Sequence, residues 1–219
     1  MNRKGFIFDL DGVIVDTAKY HFLAWKKLAN SIGVDFSETQ NEQLKGVSRI
    51  ESLNKILKWG NKTLSESNFN KLMNDKNEDY LSYIAKMDAS EILPGVVDSL
   101  QFLKERNQPV ALGSASKNSV EILKKVHLLD RFDVIIDGNS VTKAKPNPEV
   151  FLKAAEGLKI NSEHCIVFED SVAGIQAANS ANMISIGIGE ESILHEADYI
   201  FKDFTEMSMS FLETLISGN

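Results

Sequence analysis

The chain has 219 residues, 43% of them hydrophobic and 25% charged, with a net charge of −7. That length buries a full core in one or two domains, and the acidic balance argues against nucleic acid as main partner while allowing a local basic site for a small phosphate. The single cysteine, Cys165, lies inside the apolar run Cys165-Ile166-Val167-Phe168, which excludes an intramolecular disulfide and suits a core thiol in a reducing cytoplasm.

The first apolar run starts almost at the N-terminus and is too short for a signal peptide, and no window reaches membrane-spanning length. A cytoplasmic monomer with no membrane partner is the expectation. The stretch Phe6-Ile7-Phe8-Asp9-Leu10-Asp11-Gly12 reads as a buried parallel strand ending on carboxylates. In an open α/β sheet, the carboxyl ends of the strands are where ligands bind. An Asp-Gly turn without chemistry is the plainer reading of the same residues.

From Thr17 to about Ile32 the apolar period becomes helical, with Phe22, Trp25, Leu28, Ala29 and Ile32 inward and Asp16 or Thr17 as N-cap. Thr17, His21 and Trp25 fall on one stripe. Ser37-Glu38-Thr39-Gln40 has the form of a capping box, and Arg49 to Trp59 shows Ile50, Leu53, Ile56 and Leu57 on one face. Ser65 caps a longer helix running to about Met87, with Phe69, Leu72, Met73, Tyr80 and Ile84 inward. This helical insertion, residues 17–93, predicts a cap domain on a core of residues 1–16 and 94–219.

Leu93-Pro94-Gly95 punctuates the return to the core, followed by a helix from Val96 to Arg106. Strands and helices then alternate: strands at Val110–Ser114, Val134–Asp137, Ile166–Glu169, Ile184–Gly187 and Tyr199–Phe201, and helices at Ser119–Val126, Pro148–Leu158, Ala173–Ala181 and Phe204–Ile216. The fold class this predicts is α/β, a Rossmann-like parallel sheet with an inserted α-helical cap that can swing over the site.

Asp9 and Asp11 are the candidate catalytic pair. Carboxylates this close repel, so one stays protonated more easily than a lone Asp, which suits a nucleophile beside a general acid. Glu169-Asp170 ends another apolar strand, which gathers carboxylates at one edge; hard oxygen donors of that number suit Mg²⁺. The same pair could instead serve as an N-cap. Ser114 ends the run Val110-Ala111-Leu112-Gly113, where its hydroxyl, the next amide and a nearby helix start favour an anion. Lys145, before Pro146, can place a point charge on a transferring group.

Asp-Leu-Asp-Gly-Val with Asp16-Thr17, Gly113-Ser114-Ala115-Ser116, Lys145-Pro146 and Glu169-Asp170 fall in the order and roughly the spacing of the haloacid dehalogenase superfamily, which this chain resembles. The resemblance implies that Asp9 forms an aspartyl phosphate and that Asp11 protonates the leaving oxygen. It implies that the Asp9 side chain, the Asp11 carbonyl and the Asp170 side chain bind Mg²⁺, with Glu169 near its waters.

The cap run Lys45-Gly46-Val47-Ser48-Arg49, with His21, Trp25, Lys76 and Ser116-Lys117-Asn118, resembles the hexose-phosphate mutases of that superfamily over nearly the whole chain. That implies conversion of β-glucose 1-phosphate to glucose 6-phosphate, with β-glucose 1,6-bisphosphate as primer and intermediate. Arg49, Ser116, Lys117 and Asn118 would hold the resting phosphate, and Ser114, Ala115 and Lys145 the moving one; Thr17, His21, Lys45, Gly46 and Lys76 complete the substrate site. Singly, His21, Trp25 and Lys76 also read as ordinary helix and core residues. A sugar-phosphate or glycolate-phosphate phosphatase, and an inactive binding protein on the same scaffold, are the alternatives.

Overall fold

A computed structural model describes residues 3–218. Six strands form one parallel sheet: β1 (Gly5–Phe8), β2 (Val110–Gly113), β3 (Val134–Ile136), β4 (Cys165–Glu169), β5 (Ile184–Ile188) and β6 (Tyr199–Phe201), in the order β3-β2-β1-β4-β5-β6. Consecutive strands step outward from β1 on one side, and the chain then returns to lay β4 on the other, so strand order reverses at β1. Phe8 is level with Leu112 on β2 and with Phe168 on β4. The residues after these three strands therefore emerge together at the reversal point, where open α/β sheets bind ligands.

Period-two alternation divides β1 between two cores. Phe6 and Phe8 face the side where Phe168 and Phe204 lie, with ring centroids 4.5 Å apart for Phe8–Phe168 and 5.9 Å for Phe8–Phe204. That face is covered by α5 (Val96–Glu105), α6 (Ser119–Lys125) and α10 (Met209–Ser217). Ile7 faces the opposite layer, with Val167, Phe151 of α7 (Glu149–Leu158) and Ala177 of α8 (Val172–Ser180). Cys165 is buried there and its thiol is pushed up to about 11 by burial, as a core thiol should be.

Between β1 and α5 come α1 (Ala18–Ser31), α2 (Glu38–Glu42), α3 (Arg49–Trp59) and α4 (Glu66–Ile84). They enclose an apolar cluster of their own, around Trp25, Leu28, Phe36, Leu53 and Ile56, while Ala24, Tyr80 and Ile84 join the cluster on the sheet. Ser37 and Gln40 make the predicted capping box, and Ser48 and Ser65 cap α3 and α4. The chain enters and leaves this helical segment on two paired tethers: Leu93 N–H donates to the Ile14 carbonyl and Asp16 N–H to the Glu91 carbonyl, both at 3.0 Å.

Four local expectations change. Ile50 is 56% exposed, because the first turn of α3 faces the space between the helices and the sheet while Leu53, Ile56 and Leu57 fill the core. The last helix begins at Met209, since Ser208 caps it and Asp203 turns the chain before it, leaving Phe204 free to plug the core. The helix predicted to reach Met87 stops at Ile84, where Asp88 starts a separate 3-10 turn. A further short helix, α9 (Glu191–Leu194), follows β5 where alternation alone gave no signal.

Candidate active site

Asp9 follows β1, its amide held by the Phe168 carbonyl at 3.0 Å, and its buried carboxylate accepts from Lys145 Nζ at 2.6 Å. The same ammonium donates to Glu169 at 2.5 Å. Burial would lower the Lys145 pKa, but Asp9 and Glu169 outweigh it and raise it, so the lysine stays charged. Burial pushes Asp9 well above the usual carboxylate range; Lys145 opposes this, and Glu169, Asp11 and Asp170 add to it. Lys145 meets two carboxylates, and Asp11 and Asp170 lie close to Asp9, an acidic excess that a further cation would offset.

Gly12 has φ of +82°, and a Cβ there would overlap the Asp170 carboxylate. Glycine thus lets Asp170 sit directly against the Asp9–Gly12 turn. Burial first, then Glu169, raises Asp170 to about 7, against the pull of Lys45 at 3.3 Å. Among the described residues no three side chains form a metal-binding group. Asp9 and Asp170 are two hard donors, and the main chain at Asp11 would have to supply a third; such oxygens fit a cation that keeps several waters.

The second aspartate is handled differently. Thr17, the N-cap position of α1, makes no cap bond and donates its hydroxyl to Asp11 Oδ1. His21 Nε2 lies 3.9 Å from the same oxygen, and its Nδ1 is 3.0 Å from Lys76 Nζ. Lys76 is buried against the rings of Trp25 and Tyr80, at 4.6 and 4.7 Å. Burial, then Arg49, lowers it to about 7, with Asp11 opposing. Burial also takes His21 well below its usual value, with Lys76 and Arg49 adding to the effect. Burial raises Asp11, and the Thr17 bond restrains that rise. The result is an aspartate bonded by the Thr17 hydroxyl, with His21 and then Lys76 behind it, a setting suited to carrying a proton.

The loop after β2 is wound by its own side chains. Ser114 Oγ accepts from the Ser116 amide at 3.1 Å and Ser116 Oγ from the Asn118 amide at 3.3 Å. Arg49, at the start of α3, donates to Asn77 Oδ1 at 2.7 Å, and Asn118 Nδ2 donates to the same oxygen at 3.2 Å. Gly46, with φ of +69°, brings the loop after α2 against Ser171, where a Cβ would collide with the Ser171 hydroxyl.

These groups enclose a cavity of about 350 Å³ between the helical segment and the sheet. Asp9, Asp11, His21, Trp25, Lys45, Gly46, Arg49, Lys76, Ser114, Ala115, Ser116, Lys117, Asn118, Lys145 and Asp170 all line it. Thr17 and Glu169 do not. Thr17 acts behind the wall, through Asp11. Both Glu169 oxygens are taken, one by Lys145 and the other by the Ser171 amide and hydroxyl at 2.7 and 2.9 Å, which makes Glu169 a holder of Lys145.

Two contributors carried no motif. Glu149 accepts from the Thr142 and Lys143 amides at 3.1 and 2.7 Å, fixing the loop that carries Lys145. Asn77 joins Arg49 to Asn118, and only its place one residue after Lys76 pointed toward it.

The haloacid dehalogenase-like hydrolase family model matches residues 3–182. The chain is 41% identical over 211 residues to β-phosphoglucomutase of Bacillus subtilis, covering 95% of this chain and 93% of that protein. A crystal structure of β-phosphoglucomutase from Clostridium difficile superposes with a TM-score of 0.94 at 41% identity, covering 100% of this chain and 98% of that one. A phosphorylated-carbohydrates phosphatase of Thermotoga maritima is 32% identical over 182 residues, 82% of each chain.

Proposed function

Because the chain belongs to the haloacid dehalogenase-like hydrolase family, we propose that this cavity performs the β-phosphoglucomutase reaction, interconverting β-glucose 1-phosphate and glucose 6-phosphate. The observation that carries this reading is the double set of anion partners in one cavity, Lys145 with Ser114 beside Asp9, and Arg49 with the Ser116–Asn118 loop. A hydrolase that removes one phosphate needs only the first.

Asp9 is the nucleophile. Its carboxylate oxygen attacks phosphorus, the bond from phosphorus to the sugar oxygen breaks, and Asp11 gives that oxygen its proton. In the opposite direction Asp11 takes the proton of the sugar hydroxyl as it attacks phospho-Asp9. The first half-reaction loads the sugar to β-glucose 1,6-bisphosphate; after the bisphosphate turns around, the second leaves glucose 6-phosphate and restores phospho-Asp9. Lys145 and Ser114 hold the moving phosphoryl group, and Arg49, Ser116, Lys117 and Asn118 the resting one.

Asp9, Asp170 and the Asp11 carbonyl would hold Mg²⁺, which would supply positive charge where phosphoryl oxygens gather. Residues 17–93 act as the cap, and closing it excludes the water that would otherwise take the group. His21 approaches Asp11 from that segment, with Lys76 behind it, so the acid–base has these neighbours only when cap and core meet. A ³¹P NMR time course on β-glucose 1-phosphate, with Mg²⁺ and a trace of bisphosphate, tests this: glucose 6-phosphate supports the mutase, and free phosphate alone assigns a phosphatase.

A further inference from the structure

Asn77 stands behind the cavity wall, half-buried on α4, and does not line the cavity. Its one amide oxygen accepts from Arg49 on α3 and from Asn118 on the core loop, at 2.7 and 3.2 Å. Both partners are donors, which fixes the orientation of the amide. We propose that Asn77 is a positioning residue that aims Arg49 and Asn118, one from each side of the cavity, at a single phosphate dianion; this rests on the sugar-phosphate reading above.

The choice of amide over carboxylate follows from charge. A carbonyl oxygen has two lone pairs and holds two donors at once, yet leaves the guanidinium uncompensated and its remaining N–H groups free for an anion. A carboxylate in the same place would keep both hydrogen bonds but would pair with Arg49 and spend its charge before substrate arrives. The three elements meet at one atom, so its loss frees both donors together.

The test measures KM and kcat for β-glucose 1-phosphate in Asn77→Ala, Asn77→Asp, Arg49→Ala and Asn77→Ala/Arg49→Ala. Asn77→Ala is expected to raise KM about tenfold, the scale of losing a half-buried brace hydrogen-bonded to a charged group, with a smaller change in kcat. Asn77→Asp should raise KM further than Asn77→Ala, because it neutralises the clamp. A packing role predicts the reverse, since Asp keeps shape and acceptor. In the Arg49→Ala background, Asn77→Ala should add far less than tenfold. An Asp variant with KM near wild type, or losses that multiply in the double variant, overturns the proposal. If Arg49→Ala alone leaves KM unchanged, the clamp itself is wrong and Asn77 falls with it. If wild type releases free phosphate in place of glucose 6-phosphate, the mutase reading fails while the KM order still judges Asn77.

Discussion

Lys45, on the loop after α2, places its ammonium 3.3 Å from the carboxylate of Asp170 on the core. One carboxylate is thereby shared between the helical segment and the cation site proposed beside Asp9. Chelation is predicted to abolish turnover and Mg²⁺ to restore it, and Asp170→Ala to raise the Mg²⁺ requirement sharply. Lys45→Ala should do the opposite to affinity, tightening Mg²⁺ binding about three- to fivefold, the scale of a partly exposed ion pair. Calorimetric titration of each protein with Mg²⁺ checks this without relying on activity. Weaker binding in Lys45→Ala would contradict it.

The two aspartates should separate kinetically. Asp9→Asn is expected to lose all turnover. Asp11→Asn should lose about 10²- to 10⁴-fold, the usual worth of general acid–base catalysis, while still accepting phosphate from acetyl phosphate, whose leaving oxygen needs no proton. Mass spectrometry of the intact protein reads the acceptance directly. Appreciable turnover by the Asp9 variant would remove the covalent mechanism.

Lys76 gives a pH signature. Its folded pKa of about 7 lies below the ordinary 10.5, so between these values the unfolded chain binds more protons than the folded one. Stability from this group therefore rises with pH across that window, and burial of the charged form costs stability below it. Denaturant unfolding of wild type and Lys76→Met between pH 6 and pH 9 should show the difference: the Met variant gains most at low pH, and the gap narrows as pH rises. A gap independent of pH would show that Lys76 is not displaced.

Much of this was legible in the chain because local rules and chemistry agreed. Alternation in Phe6-Ile7-Phe8 and apolar runs ending at Asp9, Ser114 and Glu169 gave strands, and a parallel sheet forces their ends to one edge. The capping box at Ser37 and the caps at Ser48 and Ser65 were equally local. What escaped was decided by tertiary partners. Thr17 looked like a cap, but Asp11 claims its hydroxyl. Ile50 fits the helical stripe of Leu53 and Ile56, yet its turn faces the cavity. Nothing in the run Glu169-Asp170 showed that Lys145 and Ser171 would hold both oxygens of Glu169. Asn77 has no motif, because its role lies in two residues distant in sequence.

Arg49 separates the two halves of the site. A guanidinium holds phosphate by parallel hydrogen bonds in a fixed plane, which an ammonium cannot copy. Arg49→Lys and Arg49→Ala are predicted to slow conversion of β-glucose 1-phosphate strongly, while phosphorylation of Asp9 by acetyl phosphate stays nearly intact. Equal losses in both assays would count against the clamp.

The most direct test follows the phosphoryl group itself. Enzyme phosphorylated on Asp9 with labelled acetyl phosphate is freed of donor and mixed, in Mg²⁺, with β-glucose 1-phosphate or with buffer alone. A mutase passes the label to the sugar, so β-glucose 1,6-bisphosphate should appear in a fast single turnover and labelled free phosphate should form slowly. Release of labelled phosphate at the same rate with and without the sugar, and no labelled bisphosphate, would contradict the account.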